Sequence, residues 1–160
     1  MKVKDLMVSE VKCCGNFDTL NTAAQLMWDH DIGCVPVVDA EGHVLGMLTD
    51  RDVCMAAYTQ GVALRDSVVT SVMSKEVFFC APEDDLATAE ELMRVKQVRR
   101  LPVVDAQGHL AGIISLNDIA RECAREAGLK KAREVSDSEI AGVLASVCAP
   151  HHRIIEAQAA

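Results

Sequence analysis

The stretch IGCVPVVDAEGHVLGMLTDRDV at residues 32–53 returns as VRRLPVVDAQGHLAGIISLNDI at residues 98–119, and the match runs back to Met7 and Met73 at a constant offset of 66. From Met7 to Asp52 the copies align without a gap, and 19 of 46 pairs are identical. Two copies of one supersecondary unit must cover each other's apolar faces, so a site is sought first among the residues that both copies keep. A unit of about 60 residues is marginal alone. The repeat therefore predicts one body in which the copies share a core.

Apolar residues make up 50% of the chain and aromatics only 3%, so that core must be built from Val, Leu, Ile, Ala and Met. The net charge of −8 argues against a nucleic-acid partner, because binding a phosphate backbone needs a broad positive field. The N-terminal MKVKDLMV lacks the apolar core of a secretory signal and no long apolar run follows. No membrane partner and a cytoplasmic location are expected. The seven cysteines form no C-x-x-C pair, and without an export signal most are expected to be reduced and buried.

Apolar residues at helical spacing follow helix-start signals in both copies: Leu20, Ala23, Ala24 and Met27 after Asp18-Thr19, and Leu86, Ala89, Leu92 and Met93 after Pro82 to Asp85. Val35–Val38 and His43–Leu48, joined by an Asp-Ala-x-Gly turn, predict a β-hairpin; Leu101–Val104 and His109–Ile114 repeat it. A second helix follows each hairpin, at Val53–Tyr58 and Ile119–Glu126, and a short strand precedes each first helix, at Val11–Cys14 and Val77–Cys80. The expected fold class is α+β. Residues 1–58 form repeat 1, 59–68 a linker, 69–126 repeat 2 and 127–160 a C-terminal extension. Within it, Ser136–Ser146 predicts a helix with a Ser136/Glu139 capping box.

Each hairpin ends in Gly-h-x-Thr/Ser-x-x-Asp: Gly46 to Thr49 and Asp52, and Gly112 to Ser115 and Asp118. A hydroxyl at a strand-to-helix junction can meet a phosphate oxygen beside the positive helix end, and a carboxylate one turn on can accept bonds from a vicinal diol. That chemistry points to a ribose phosphate. The bland alternative is helix capping alone.

These residues, with the flanking VPVVDAEGHVLGMLTDRD, resemble the paired CBS domains over about Val3 to Arg125. The resemblance implies two βαββα modules packed about a pseudo-twofold axis, with adenosine-ligand clefts between them. It implies that Asp52 and Asp118 hold ribose and that Thr49 and Ser115 contact phosphate or cap the clefts. The adenine would lie against Val11 to Cys13 and Val35-Pro36 in one copy, and Val77 to Phe79 and Leu101-Pro102 in the other. Arg51, opposite Asn117 in the other copy, and Arg100 are the candidate phosphate cations, Arg being suited to a planar grip on phosphate.

The implied function is a regulatory module without catalysis. It binds AMP, ADP or ATP and passes occupancy to a regulated protein that the sequence does not identify. No nucleophile elbow, P-loop or dinucleotide glycine pattern is present, and His43 and His109 are expected to be turn residues. S-adenosylmethionine is an alternative ligand. A homodimer is expected through the apolar faces of Leu20–Asp31 and Leu86–Gln97 and the second helices, with Trp28 as a candidate contact. The rival reading is a zinc- or redox-responsive structural protein, in which Cys148, His151 and His152 supply metal ligands.

Overall fold

A computed structural model describes residues 1–127 and 136–149. Repeat 1 runs β1 (Cys14–Gly15), α1 (Leu20–Asp29), β2 (Cys34–Val38), β3 (Val44–Thr49) and α2 (Asp50–Gln60). Repeat 2 runs α3 (Leu86–Lys96), β4 (Arg100–Val104), β5 (Leu110–Ser115) and α4 (Leu116–Ala127), and α5 (Asp137–Val147) follows. The fold is α+β, two copies of one βαββα unit plus a C-terminal helix. No helix among the described residues is long and apolar enough to cross a membrane.

The local chemistry accounts for these elements. In α1, the Thr19 side chain accepts from Thr22 N–H at 3.2 Å, and Leu20, Ala23 and Met27 bury one stripe; Leu86, Ala89 and Met93 do the same in α3. In each hairpin turn an aspartate oxygen, Asp39 Oδ1 or Asp105 Oδ1, accepts two backbone N–H bonds, and Gly42 and Gly108 take φ of 93° and 89°. An L side chain resists that conformation. Both hairpins carry a register shift at the same place, Val37/Val38 and Val103/Val104. The Ser136/Glu139 capping box opens α5, and Val143 and Val147 bury its inner face against α3 and α4.

The leading strands are shorter than their composition predicts. Only Cys14–Gly15 pairs with β2, and in repeat 2 a single parallel bridge, Cys80 to Val103, remains. Residues 11–13 and 75–79 lie outside regular structure. Cys14 and Cys80 fill these matched positions as buried thiols, and burial pushes both up to about 11. Cys34 and Cys123 are also buried, while Cys13, Cys54 and Cys148 are exposed.

The expected shared core is instead two cores, each completed by a segment from the other half of the chain. Val69, with Leu64, Val72 and Met73, packs into the core of repeat 1, whereas Val3, with Met1, Leu6 and Met7, packs into that of repeat 2. The backbone repeats the exchange bond for bond. Val69 N–H donates to Asp18 O and Val3 N–H to Asp84 O; Leu20 N–H donates to Ser67 O and Leu86 N–H to Met1 O. Met47 and Ser74 exchange a pair of N–H···O bonds, as do Ile113 and Val8. Burying a valine contributes about 1.5–3 kcal/mol. Val3 and Val69, both fully buried, are thus substantial ties. At the pseudo-axis the His43 and His109 rings stack at 4.7 Å, and Leu110 N–H donates to Gly42 O at 3.0 Å.

The crossing segments press on Gly46 and Gly112. A Cβ on Gly46 would lie 2.9 Å from the Ser74 carbonyl and 2.5 Å from Met73 Sδ. Overpacking of this kind costs about 1–3 kcal/mol, so Gly46→Ala is expected to lower the urea midpoint accordingly. An unchanged midpoint would show that the Met73–Ser74 crossing is loose.

Candidate functional site

Two clefts of about 310 Å³ each lie between the repeats, within the size range of small-molecule sites. The first joins Cys34, Met47, Thr49 and Asp52 of repeat 1 to Ser74, Glu76, Val77 and Phe78 and the start of β4. The second joins Ile113, Ser115 and Asp118 of repeat 2 to Val8, Glu10, Val11 and Lys12 and the start of β2. Each of the twelve residues lining the first cleft has its counterpart, 66 positions away, lining the second. The clefts are therefore two versions of one site, and each is assembled from both repeats.

Each expected base wall lies with the motif of the other copy. Val77 and Pro102 line the cleft of Thr49 and Asp52, whereas Val11 and Pro36 line the cleft of Ser115, Asn117 and Asp118. The cause is the exchange at Met47/Ser74 and Ile113/Val8, which lays each leading segment along the other repeat's hairpin. Four residues expected against the base lie elsewhere. Val35 and Leu101 are fully buried in the two cores, because alternation along a strand turns them away from the face of Pro36 and Pro102. Cys13 is exposed and Phe79 is 55% exposed, beside the clefts rather than lining them. Arg51 is exposed on α2 and lines neither cleft.

Both motif hydroxyls are engaged locally. Thr49 Oγ1 donates to Asp52 Oδ2 at 2.7 Å and accepts from Asp52 N–H at 3.2 Å, while Thr49 N–H donates to the same Oδ2 at 2.9 Å. Ser115 and Asp118 repeat this box, with the hydroxyl contact at 2.5 Å. A hydroxyl whose one hydrogen points at a carboxylate has none for a phosphate oxygen. The first N–H groups of α2 are also occupied, Asp50 N–H by Gly33 O and Arg51 N–H by Asp50 Oδ1. The motif thus presents a positioned carboxylate rather than a phosphate cradle. Asp52 Oδ1 carries no bond among the described residues, and Asp118 Oδ1 is held by Arg121.

Positive charge comes from other residues. Arg100 is half-buried, lines both clefts and makes no hydrogen bond or ion pair among the described residues. Its Nη2 lies 3.9 Å from where a Cβ on Gly33 would stand, so the guanidinium reaches across to repeat 1. Cys34, its counterpart, is only 6% exposed; burial pushes its thiol up, with Arg100 opposing the shift. Sequence reasoning missed Arg99, Lys12 and Arg121 as further lining cations, and of the stretch Val77 to Phe79 the cleft takes Val77 and Phe78. Lys96 Nζ stands 4.5 Å from the Phe78 ring centre. Of the expected metal ligands, Cys148 is exposed at the end of α5, while His151 and His152 lie outside the described residues. Asp39, Glu41 and His43 cluster in a hairpin turn, but Asp39 already holds that turn through backbone bonds.

The CBS domain model matches residues 3–58 and 69–125. The chain belongs to the CBS-domain family. A CBS domain-containing protein of Bacillus subtilis, YhcV, is 42% identical over 120 residues, covering 74% of this chain and 82% of the relative. Among solved structures, Hypoxic Response Protein I with two coordinated zinc ions is 31% identical at a TM-score of 0.70, covering 76% of this chain and 98% of that one. The CBS-pair fold is also that of CBSX2 in complex with AMP, at 22% identity and a TM-score of 0.70, covering 79% and 98% of the two chains.

Because each motif aspartate closes a capping box, Asp52→Ala and Asp118→Ala should each cost about 1 kcal/mol of stability, within the usual 0.5–2 kcal/mol for a lost cap. Asp→Asn retains the acceptor and should cost less. Denaturant titration of the four variants checks this; alanine variants as stable as wild type would mean that the box contributes nothing.

Proposed function

We propose that this CBS pair is a regulatory module without catalysis that binds an adenosine ligand carrying phosphate, AMP, ADP or ATP, in its two inter-repeat clefts. One observation carries the reading: the lining of each cleft includes a motif carboxylate held by its capping box and Arg100, which is unpaired among the described residues. A carboxylate accepts two hydrogen bonds from a ribose diol, and a guanidinium meets phosphate as a planar fork. Phe78 and Val77 in the first cleft, and Val11 and Ile32 in the second, supply apolar surface for a base. AMP bound to the structural neighbour CBSX2 supports this ligand class.

Signalling would follow from the crossed construction. A ligand that touches the hairpin of one repeat and the leading segment of the other binds most tightly at one angle between them, which is the differential affinity that a switch needs. The readout surface is proposed as the open face of α1 and α2, where Trp28 and Tyr58 are each 83% exposed; a second copy of the chain is its proposed partner. In repeat 2, α5 covers the equivalent face of α3 and α4, so those helices are not equally available.

Calorimetric titration of metal-analysed protein with AMP, ATP and S-adenosylmethionine tests the reading. Nucleotide binding weakened at least about tenfold by Asp52→Ala or Asp118→Ala is expected, a loss of about 1.4 kcal/mol or more. Preference for S-adenosylmethionine over both nucleotides would replace the ligand class. No binding by any of the three, together with stoichiometric zinc lost in Cys148→Ser, would move the function to the C-terminal cysteine and histidines.

A further inference from the structure

The two clefts are not electrostatically separate. Among the described residues, positions 34 and 100 alone line both clefts, one counterpart being cysteine and the other arginine. The register explains their place. Cys34 stands opposite Thr49 in the first hairpin and Arg100 opposite Ser115 in the second, so each sits beside its own motif and faces the other repeat's cleft. An arginine at both positions would equip each cleft with its own guanidinium. This chain has one.

Charge balance makes the single guanidinium decisive. The first cleft sets Asp52 and Glu76 against Arg99 and Arg100; the second sets Glu10, Asp31 and Asp118 against Lys12, Arg100 and Arg121. Each cleft is neutral only when Arg100 is counted, and each has a net charge of −1 without it. Arg99 and Lys12 are exposed, where solvent screens them, and Arg121 already pairs with Asp118.

The geometry points to a shared phosphate cation. Arg100 serves whichever cleft holds a phosphorylated ligand, so binding in one cleft opposes binding of a second phosphorylated ligand in the other. This rests on the nucleotide reading above and adds its regulation: the module responds to the first nucleotide and resists the second, while an uncharged nucleoside meets no such opposition. Coupling between sites is reciprocal, so either cleft filled first disfavours the other equally. Allosteric coupling typically spans about 5–150-fold, and the expected gap lies at its lower end because Arg100 is only half-buried.

Calorimetry on the full chain, with AMP and adenosine as probes, separates coupling from mere inequality of the clefts. Asp118→Ala leaves the first cleft working and Asp52→Ala the second, so each single-cleft variant reports an uncoupled constant. The expected result is that the second AMP step of the wild-type protein is at least about fivefold weaker than the weaker single-cleft constant. Adenosine should show no such gap, and Arg100→Gln, its fold verified by circular dichroism, should weaken AMP binding and remove the gap. A wild-type second step equal to the weaker single-cleft constant overturns the sharing, as does a gap that survives Arg100→Gln, while the nucleotide reading stands. Failure of AMP and adenosine to bind the wild-type protein at all overturns both.

Discussion

The structure depends on the paired backbone bonds at Met47/Ser74 and Ile113/Val8. They carry the leading segment of repeat 2 onto the hairpin of repeat 1, and that of repeat 1 onto the hairpin of repeat 2. Neither repeat then has a complete core of its own, since Val69 fills one and Val3 the other. A unit of about 60 residues buries too little surface to stand alone comfortably. The exchange meets that shortfall by making each half's stability depend on the other, and it brings residues of both halves to the wall of each cleft.

The capping boxes divide labour within those walls. A Thr or Ser hydroxyl closed onto an aspartate fixes the start of α2 and α4 and aims the carboxylate, but leaves little hydrogen-bonding capacity for an anion. On the proposed reading, negative charge on a ligand is met by side chains outside the motif, above all by Arg100. The pseudo-symmetry is close in backbone and incomplete in charge, and the break lies at the axis, where Cys34 faces Arg100.

Much of this was legible in the chain. The Asp-Ala-x-Gly turns, the β-branched runs beside them and the Thr/Ser-x-x-Asp steps located both hairpins and the helices that follow, because turn and cap chemistry is local. Ser136 and Glu139 announced α5 for the same reason. The leading segments were not legible: Val77–Cys80 looks like a strand by composition, yet only Cys80 makes a bridge, while Ser74 bonds to a hairpin of the other repeat, and long-range pairing leaves no local period. With no regular strand there, side chains do not alternate, and the neighbours Val77 and Phe78 both line the cleft while Phe79 does not. The burial of Val35 and Leu101 could have been read, since alternation sets them opposite Pro36 and Pro102. That the clefts combine Asp52 with Val77, and Asp118 with Val11, follows from the crossing alone.

A crystal structure of the protein with AMP bound tests the composite clefts most directly. The account predicts ribose hydroxyls on Asp52 with the base against Val77 and Phe78, or ribose on Asp118 with the base against Val11 and Ile32, and the phosphate within reach of Arg100 in either case. A nucleotide contacting the motif aspartate and leading segment of the same repeat, Asp52 with Val11 or Asp118 with Val77, would contradict it.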